Sequence, residues 1–277
     1  MEGFNSLEIS KIQELSQNLA FTSGSYILDN VSKVNKKMYK DNTDGKKEVV
    51  TKIDLDIHKK LFKIIKKHYP DHQILSEEDI KNSNNIDYEL PVWIIDPLDG
   101  TTNFSNGLPI FGSSISFVFN YQTVVSALFI PSIENIDGKC ISWSENNGIL
   151  VDGKNFLYKE NSDISFVPGN LYSNTKLIKK YNKLNFLSKD FRNLGSITYE
   201  GAMVLLGNGK SLLCNNPKIW DVSALIGIFS DKSKSIFISK SGENNKKWNK
   251  LENMNDIYKN IDKKSCRIGF DIFFISK

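Results

Sequence analysis

The stretch Trp93-Ile94-Ile95-Asp96-Pro97-Leu98-Asp99-Gly100-Thr101-Thr102-Asn103-Phe104 constrains this chain more than any other. An apolar run from Val92 to Ile95 reads as a buried strand, and it stops at two aspartates set around a proline, followed by a glycine. The strand therefore delivers acids to a sheet edge. Pro97 fixes its own φ and stiffens the backbone between Asp96 and Asp99, so both carboxylates and the Leu98 carbonyl can converge on one point. Hard oxygen donors in that arrangement suit Mg²⁺ or Mn²⁺. Gly100-Thr101-Thr102-Asn103 then reads as a helix start, whose unpaired N–H groups bind phosphate. Read alone, the same residues also fit an Asp-rich turn or a calcium loop.

Other blocks repeat the pattern. Ile74-Leu75-Ser76-Glu77-Glu78-Asp79 is a short apolar strand running into acids, and Lys218-Ile219-Trp220-Asp221-Val222-Ser223-Ala224 puts an acid at a helix start. Glu48-Val49-Val50-Thr51-Lys52-Ile53-Asp54 is a brief extended stretch leading into a helix with apolar Leu55, Leu61, Ile64 and Ile65, for which Asp54 is the expected N-cap. In order and spacing these blocks resemble the inositol monophosphatase family of Mg²⁺-dependent phosphatases, over about residues 7–230. The matching marks are the DPxDGTTNF form, an acidic pair like GEE, and WDxxA.

The resemblance implies a fold and a mechanism. The fold is a layered αβαβα sandwich of the sugar-phosphatase type, of mixed α+β and α/β character. Glu77, Asp96, Leu98 (through its carbonyl), Asp99 and Asp221 would ligate two or three Mg²⁺ ions, with Mn²⁺ as the alternative, and Asp96 bridging. Asp54, Thr101 and Glu77 are the implied catalytic residues, Asp54 pairing with Thr101 to hold the attacking water. Asp99, Gly100, Thr101, Gly195, Ser196, Ile197 and Asp221 would contact substrate. Water attacks phosphorus directly in this scheme, with inversion. The substrate is a small polyol or sugar phosphate monoester, with myo-inositol 1-phosphate as first candidate. Fructose 1,6-bisphosphatase or 3′(2′),5′-bisphosphate nucleotidase activity is the alternative on the same scaffold. A metal- and phosphate-binding regulatory protein without catalysis is the reading from another class. Thr102-Asn103-Phe104 resembles the inositol branch, yet Cys214 stands seven residues before Asp221, where inositol-specific relatives carry a glutamate that binds ring hydroxyls. A thiol is a poor acceptor, and as a small buried residue it also has a plain core reading. Lithium inhibition and a homodimer follow from the resemblance alone.

Composition narrows the classes. The net charge of +4 comes almost wholly from lysines scattered among Asn and Ser, with arginine only at 192 and 267, so nucleic acid is not an expected partner. Cys140, Cys214 and Cys266 lack disulfide or zinc spacing. No apolar run approaches the roughly 18 residues of a membrane span, and the N-terminus has no leader pattern. A soluble, cytoplasmic protein with no membrane partner is expected. His58, His68 and His72 have no HxxxH spacing and read as surface or capping residues, which argues against a zinc hydrolase and a histidine base.

The rest of the chain reads as scaffold. Leu7 to Val31 has the spacing of one amphipathic helix or two. Residues 40–47 read as a mobile loop, in which Lys46 or Lys47 matches the lysine of the family's closing loop. Residues 80–91 read as a polar connector. Strands are expected at Ile110–Phe119, Thr123–Ile130, Cys140–Trp143, Gly148–Val151, Ile164–Val167 and Ser211–Cys214, with helices over Thr175–Phe186 and from Ser196. Two halves are expected: residues 1–150, α+β with an antiparallel sheet and most of the metal ligands, and residues 151–277, α/β with the substrate side and the last ligand.

Overall fold

The computed structural model describes residues 3–31, 38–41, 47–132, 134–156, 158, 162–169, 188, 190–231, 234–242 and 247–276. The first helix, α1 (Ser6–Leu28), is continuous, and it opens with a capping box in which Asn5 and Glu8 satisfy each other's backbone N–H groups. Its buried positions, Ile9, Ile12, Ser16, Leu19, Ser23 and Ile27, recur every three or four residues and form one stripe. A short antiparallel hairpin follows, β1 (Met38–Asp41) with β2 (Lys47–Val50), and then α2 (Lys52–His68). Residues 42–46, including Lys46, lie outside the described residues, and Lys47 begins β2.

Strands β3 (Gln73–Ser76), β4 (Val92–Asp99), β5 (Gly112–Phe119), β6 (Gln122–Ile130), β7 (Lys139–Ser144), β8 (Gly148–Val151) and β9 (Lys154–Asn155) form a seven-stranded sheet in sequence order. Alternation along β4 splits its side chains between two cores. Trp93 and Ile95 pack with α1 and α2, whereas Val92 and Ile94 face the other helix layer. The β5–β6 hairpin turns at Asn120-Tyr121 with φ of 48° and 58°, the left-handed pair that matches strand twist.

This sheet is not purely antiparallel. β3 runs parallel to β4, because the chain crosses back through residues 77–91 instead of turning tightly. The crossover also holds more structure than a polar connector. Residues Glu77–Asn85 form a 3₁₀ helix kinked at Asp79, unreadable from a sequence with so little apolar periodicity.

The second sheet has strand order β11 (Asp190–Arg192), β10 (Ile164–Phe166), β12 (Ser211–Cys214), β15 (Phe270–Ser276), β13 (Lys234–Lys240) and β14 (Asn249–Lys250). Its first pairs are parallel, and the rest are antiparallel. Between the sheets lie α4 (Ile197–Leu205) and α5 (Ile219–Phe229), the latter buried on nearly every face. A short α3 (Thr101–Ser105) and α6 (Asn255–Tyr258) complete the described helices. The result is a layered α+β sandwich. Positions 175–186, expected to be helical, lie outside the described residues. Among the described residues no helix is long and apolar enough to cross a membrane, and none of the three cysteines is in a disulfide.

Candidate active site

Parallel pairing of β3 with β4 builds the acidic edge. Ser76 is in register with Ile95, so Glu77, the residue just past β3, comes beside Asp96, the next residue of β4. Past Asp96 the β4–β5 register shifts: Asp96 faces Ser114 and Asp99 faces Gly112, leaving Pro97 and Leu98 as a bulge. Pro97 has no N–H to give a ladder, which is why the pairing breaks there. Asp96 Oδ1 closes the bulge by accepting from Leu98 N at 3.1 Å.

Gly100 then turns the chain into α3 with φ of 89°. A Cβ at this position would stand 2.9 Å from the Ile110 carbonyl oxygen. Thr101, first in the helix, has its hydroxyl 3.1 Å from Asp54 Oδ1 and 3.0 Å from the Leu98 carbonyl. Asp54 is not the N-cap of α2. Thr51 is, in extended conformation (φ −114°, ψ 165°), and Asp54 reaches back to it, accepting from Thr51 N at 2.8 Å and Thr51 Oγ1 at 2.5 Å. One carboxylate oxygen is thus spent on the cap and the other on Thr101. Burial holds the Asp54 pKa above the ordinary range despite these bonds, with the charge of Glu77 adding to the rise.

Asp99 and Asp221 are held by the two inter-sheet helices. Asp99 Oδ2 accepts from Ser196 Oγ at 2.9 Å and from Thr198 N at 2.5 Å, at the start of α4. Asp221 sits in the first turn of α5 and accepts from Lys218 N at 3.0 Å. Burial pushes Asp99 up to about 6 against the pull of those bonds, with Glu77 again raising it. Asp221 is raised well above the carboxylate range by burial, then by Asp99 and Glu77.

These groups share one cavity of about 290 Å³, lined by Glu77, Asp96, Asp99 and Asp221 together with Leu98, Gly100, Thr101, Thr102, Gly195, Lys218, Trp220 and Arg267. Among the described residues, however, no three acidic, histidine or cysteine side chains stand close enough to form a ready cation cage. The donor set still fits a hard divalent cation. Every candidate donor is an oxygen, and the raised pKa values of Asp99 and Asp221 register carboxylates crowded where negative charge is costly.

The implied substrate residues divide. Gly195, with φ of 80°, lines the cavity, and its loop is tied from both sides, by Asn103 Nδ2 to the Leu194 carbonyl and by Leu194 N to Glu200. Ser196 is buried and bonds Asp99, and Ile197 packs on the core; neither lines the cavity. Cys214 is likewise core, 2% exposed, with burial raising its thiol. Lys218 and Arg267 also line the site; neither was named as a site residue from sequence, since a lone basic residue in a lysine-rich chain carries no spacing signal.

The histidines are more embedded than expected. His72 Nδ1 accepts from Trp93 Nε1 at 3.1 Å and stacks on Tyr69 and Phe117, while His58 Nδ1 lies 2.9 Å from Ser76 Oγ. Only His68 matches a surface role.

Comparison with known proteins agrees with this architecture. The family model described as "Inositol monophosphatase family" matches residues 8–231. "Fructose-1,6-bisphosphatase/inositol-1-monophosphatase" of Aquifex aeolicus is 28% identical over 234 residues, covering 80% of this chain and 84% of that protein. "Inositol monophosphatase 1" of Saccharomyces cerevisiae is 30% identical over 197 residues, covering 64% and 65%. Among solved structures, extragenic suppressor protein suhB of Bartonella henselae aligns with a TM-score of 0.71 at 19% identity, over 96% of this chain and 94% of that one. A Thermotoga maritima IMPase aligns at 0.68 and 20%, over 96% and 92%. At those identities the structural likeness speaks for the fold alone.

Proposed function

The chain belongs to the inositol monophosphatase family, and on that premise we propose that it is a phosphoric monoester hydrolase for small polyol or sugar phosphates, with divalent cations as cofactors. One observation carries the reading: Thr101 is fixed between Asp54 and the Leu98 carbonyl at the wall of a cavity that also holds Glu77, Asp96, Asp99 and Asp221. Such an arrangement has no role in a plain Asp-rich turn.

Glu77, Asp96, the Leu98 carbonyl, Asp99 and Asp221 would hold the cations. When bound, Mg²⁺ or Mn²⁺ supplies positive charge that acidifies water and neutralises charge growing on the leaving oxygen. The chain's own groups do the positioning. Ionised Asp54 takes the Thr101 proton in a hydrogen bond, so the Thr101 lone pairs accept from a water and aim it at phosphorus. Asp54 in turn is pinned by Thr51 and cannot swing away. Backbone N–H groups of Gly100 and Thr101 meet the phosphate, as helix starts do elsewhere. Attack is direct, and phosphorus inverts. Lithium inhibition, a homodimer and a cytoplasmic location belong to the same reading.

The test is phosphate release, with and without Mg²⁺, from myo-inositol 1-phosphate, fructose 1,6-bisphosphate and a 3′-phosphonucleotide. Mg²⁺-dependent release from at least one is expected. Release from none, by protein that binds Mg²⁺, would leave the non-catalytic binding protein as the better account.

A further inference from the structure

The turn that brings Gly195 to the wall of the cavity is closed from behind by an acid that does not itself line the cavity. Glu200 lies in the first turn of α4 and is 3% exposed. Its side chain runs back past Ser196, the N-cap of the helix. Leu194 N donates to Glu200 Oε1, and Gly195 N donates to the same carboxylate. In a capping box the acid is the third helical residue and takes the N–H of the cap itself. Glu200 is the fourth, and it serves the two residues before the cap.

The same turn is held at other points. The Leu194 carbonyl accepts from Asn103 Nδ2 at 2.7 Å, and Ser196 Oγ donates to Asp99 at 2.9 Å. Three consecutive residues are thus tied to α3, α4 and the end of β4. Burial and the charge of Asp99 both work against ionised Glu200, and the two N–H bonds oppose them. An apolar side chain would fill the position without that penalty. What an acid adds is direction, because it turns both N–H groups of the Leu194-Gly195 pair inward. Gly195 therefore brings to the cavity a stretch of backbone whose N–H is already engaged and cannot meet a phosphate. The phosphate is left to the N–H groups at the start of α3, and the wall at Gly195 meets the rest of the ester.

We infer that Glu200 is a positioning residue: by holding the backbone of Leu194 and Gly195 it sets the wall against which the alcohol part of the ester is bound. The inference rests on the phosphatase reading above. Glu200 touches neither substrate nor cation in this scheme and acts through Gly195.

The test compares Glu200→Ala and Glu200→Gln with Val204→Ala, which removes buried methyl groups from the same helix without touching the turn. Each full-length protein is assayed at saturating Mg²⁺ with an ester that the wild type hydrolyses, and with inorganic phosphate as competing inhibitor. Glu200→Ala should raise KM about ten-fold while kcat changes less than about three-fold and the phosphate Ki less than about two-fold. Glu200→Gln should raise KM less, since its amide oxygen keeps one acceptor. Val204→Ala should lower Tm and leave KM unchanged. An unchanged KM in Glu200→Ala overturns the inference. So does an equal rise of KM in Val204→Ala, which would mean that any loosening of α4 suffices, and so does a phosphate Ki that rises along with KM, which would place the damage at the phosphate end. Should Glu200→Ala not fold, Glu200→Gln decides, and a wild-type KM there overturns the assignment. In all these outcomes the wild type still hydrolyses its ester, so the phosphatase reading stands; a wild type that hydrolyses no ester brings down both.

Discussion

Asp99 is tied to the start of α4 by one oxygen, and this makes it a clean probe of chemistry apart from folding. In Asp99→Asn the amide oxygen can still accept from Ser196 Oγ and Thr198 N, so the helix stays anchored while a charge leaves the cavity. Turnover should fall about 100-fold or more, with thermal unfolding little changed; unaltered turnover would remove Asp99 from the mechanism. His72 makes a second prediction. Burial, and then Lys66, lower its pKa, so the folded state disfavours the imidazolium relative to the unfolded chain. Its contribution to stability is present above the unfolded pKa of roughly 6.5 and is lost as pH falls through the lower folded value. Urea midpoints measured from pH 7.5 down to 5 should drop less steeply in His72→Asn, whose amide oxygen can replace Nδ1 as acceptor for Trp93. Parallel slopes for the two proteins would exclude the coupling. At this scale the acids at 77, 96, 99 and 221 were legible because each interrupts an apolar run. Thr51 was hidden by the acid beside it, since Thr-x-x-Asp reads as easily with the aspartate as the cap. Glu200 did leave a trace: an acid within Ile-Thr-Tyr-Glu-Gly-Ala-Met-Val-Leu is buried, and its pKa is pushed up to about 8 by that burial, with Asp99 adding to the rise.

Between Asp96 and α4, the geometry depends on a bulge, a left-handed glycine and a five-residue helix in immediate succession. Gly100 is where that sequence is least tolerant. Alanine there must adopt φ of 89° and bring its Cβ to 2.9 Å from the Ile110 carbonyl oxygen and 3.0 Å from the Ser196 Cβ. Gly100→Ala should cost about 1–3 kcal/mol in chemical denaturation. It should also weaken catalysis, because Thr101 shifts relative to Asp54; a midpoint equal to that of the wild type would show that the turn relaxes freely. Hairpins and strand limits were readable from turn residues and alternation, as at Asn120-Tyr121 and Ser211–Cys214. The parallel placement of β3 beside β4 was not. It depends on a crossover whose residues are polar and lack period, and nothing in four residues of strand states which way its neighbour runs.

Across the whole molecule, the site draws on segments from Thr51 to Arg267, and the last strand, β15, lies inside the second sheet between β12 and β13. Strand order of this kind is a property of the folded sheet and leaves no local mark in the sequence. The same convergence predicts how stability answers to cations. Unfolding disperses Glu77, Asp96, Asp99 and Asp221, so a cation that they bind together stabilises the folded state alone. At 100 times the dissociation constant that linkage is worth about 2.7 kcal/mol, or a rise in Tm of roughly 5–10 °C for a chain of this size. Mg²⁺ should therefore raise Tm, and excess EDTA should reverse the rise. NaCl at matched ionic strength should reproduce little of it, because screening acts weakly on charges this close and enclosed. In Asp221→Asn both the charge crowding and the gain from Mg²⁺ should shrink, leaving apo Tm equal to or above the wild-type value. An equal rise with NaCl, or a full Mg²⁺ response in Asp221→Asn, would mean that these carboxylates do not share a cation and that the cavity's charge is balanced from within.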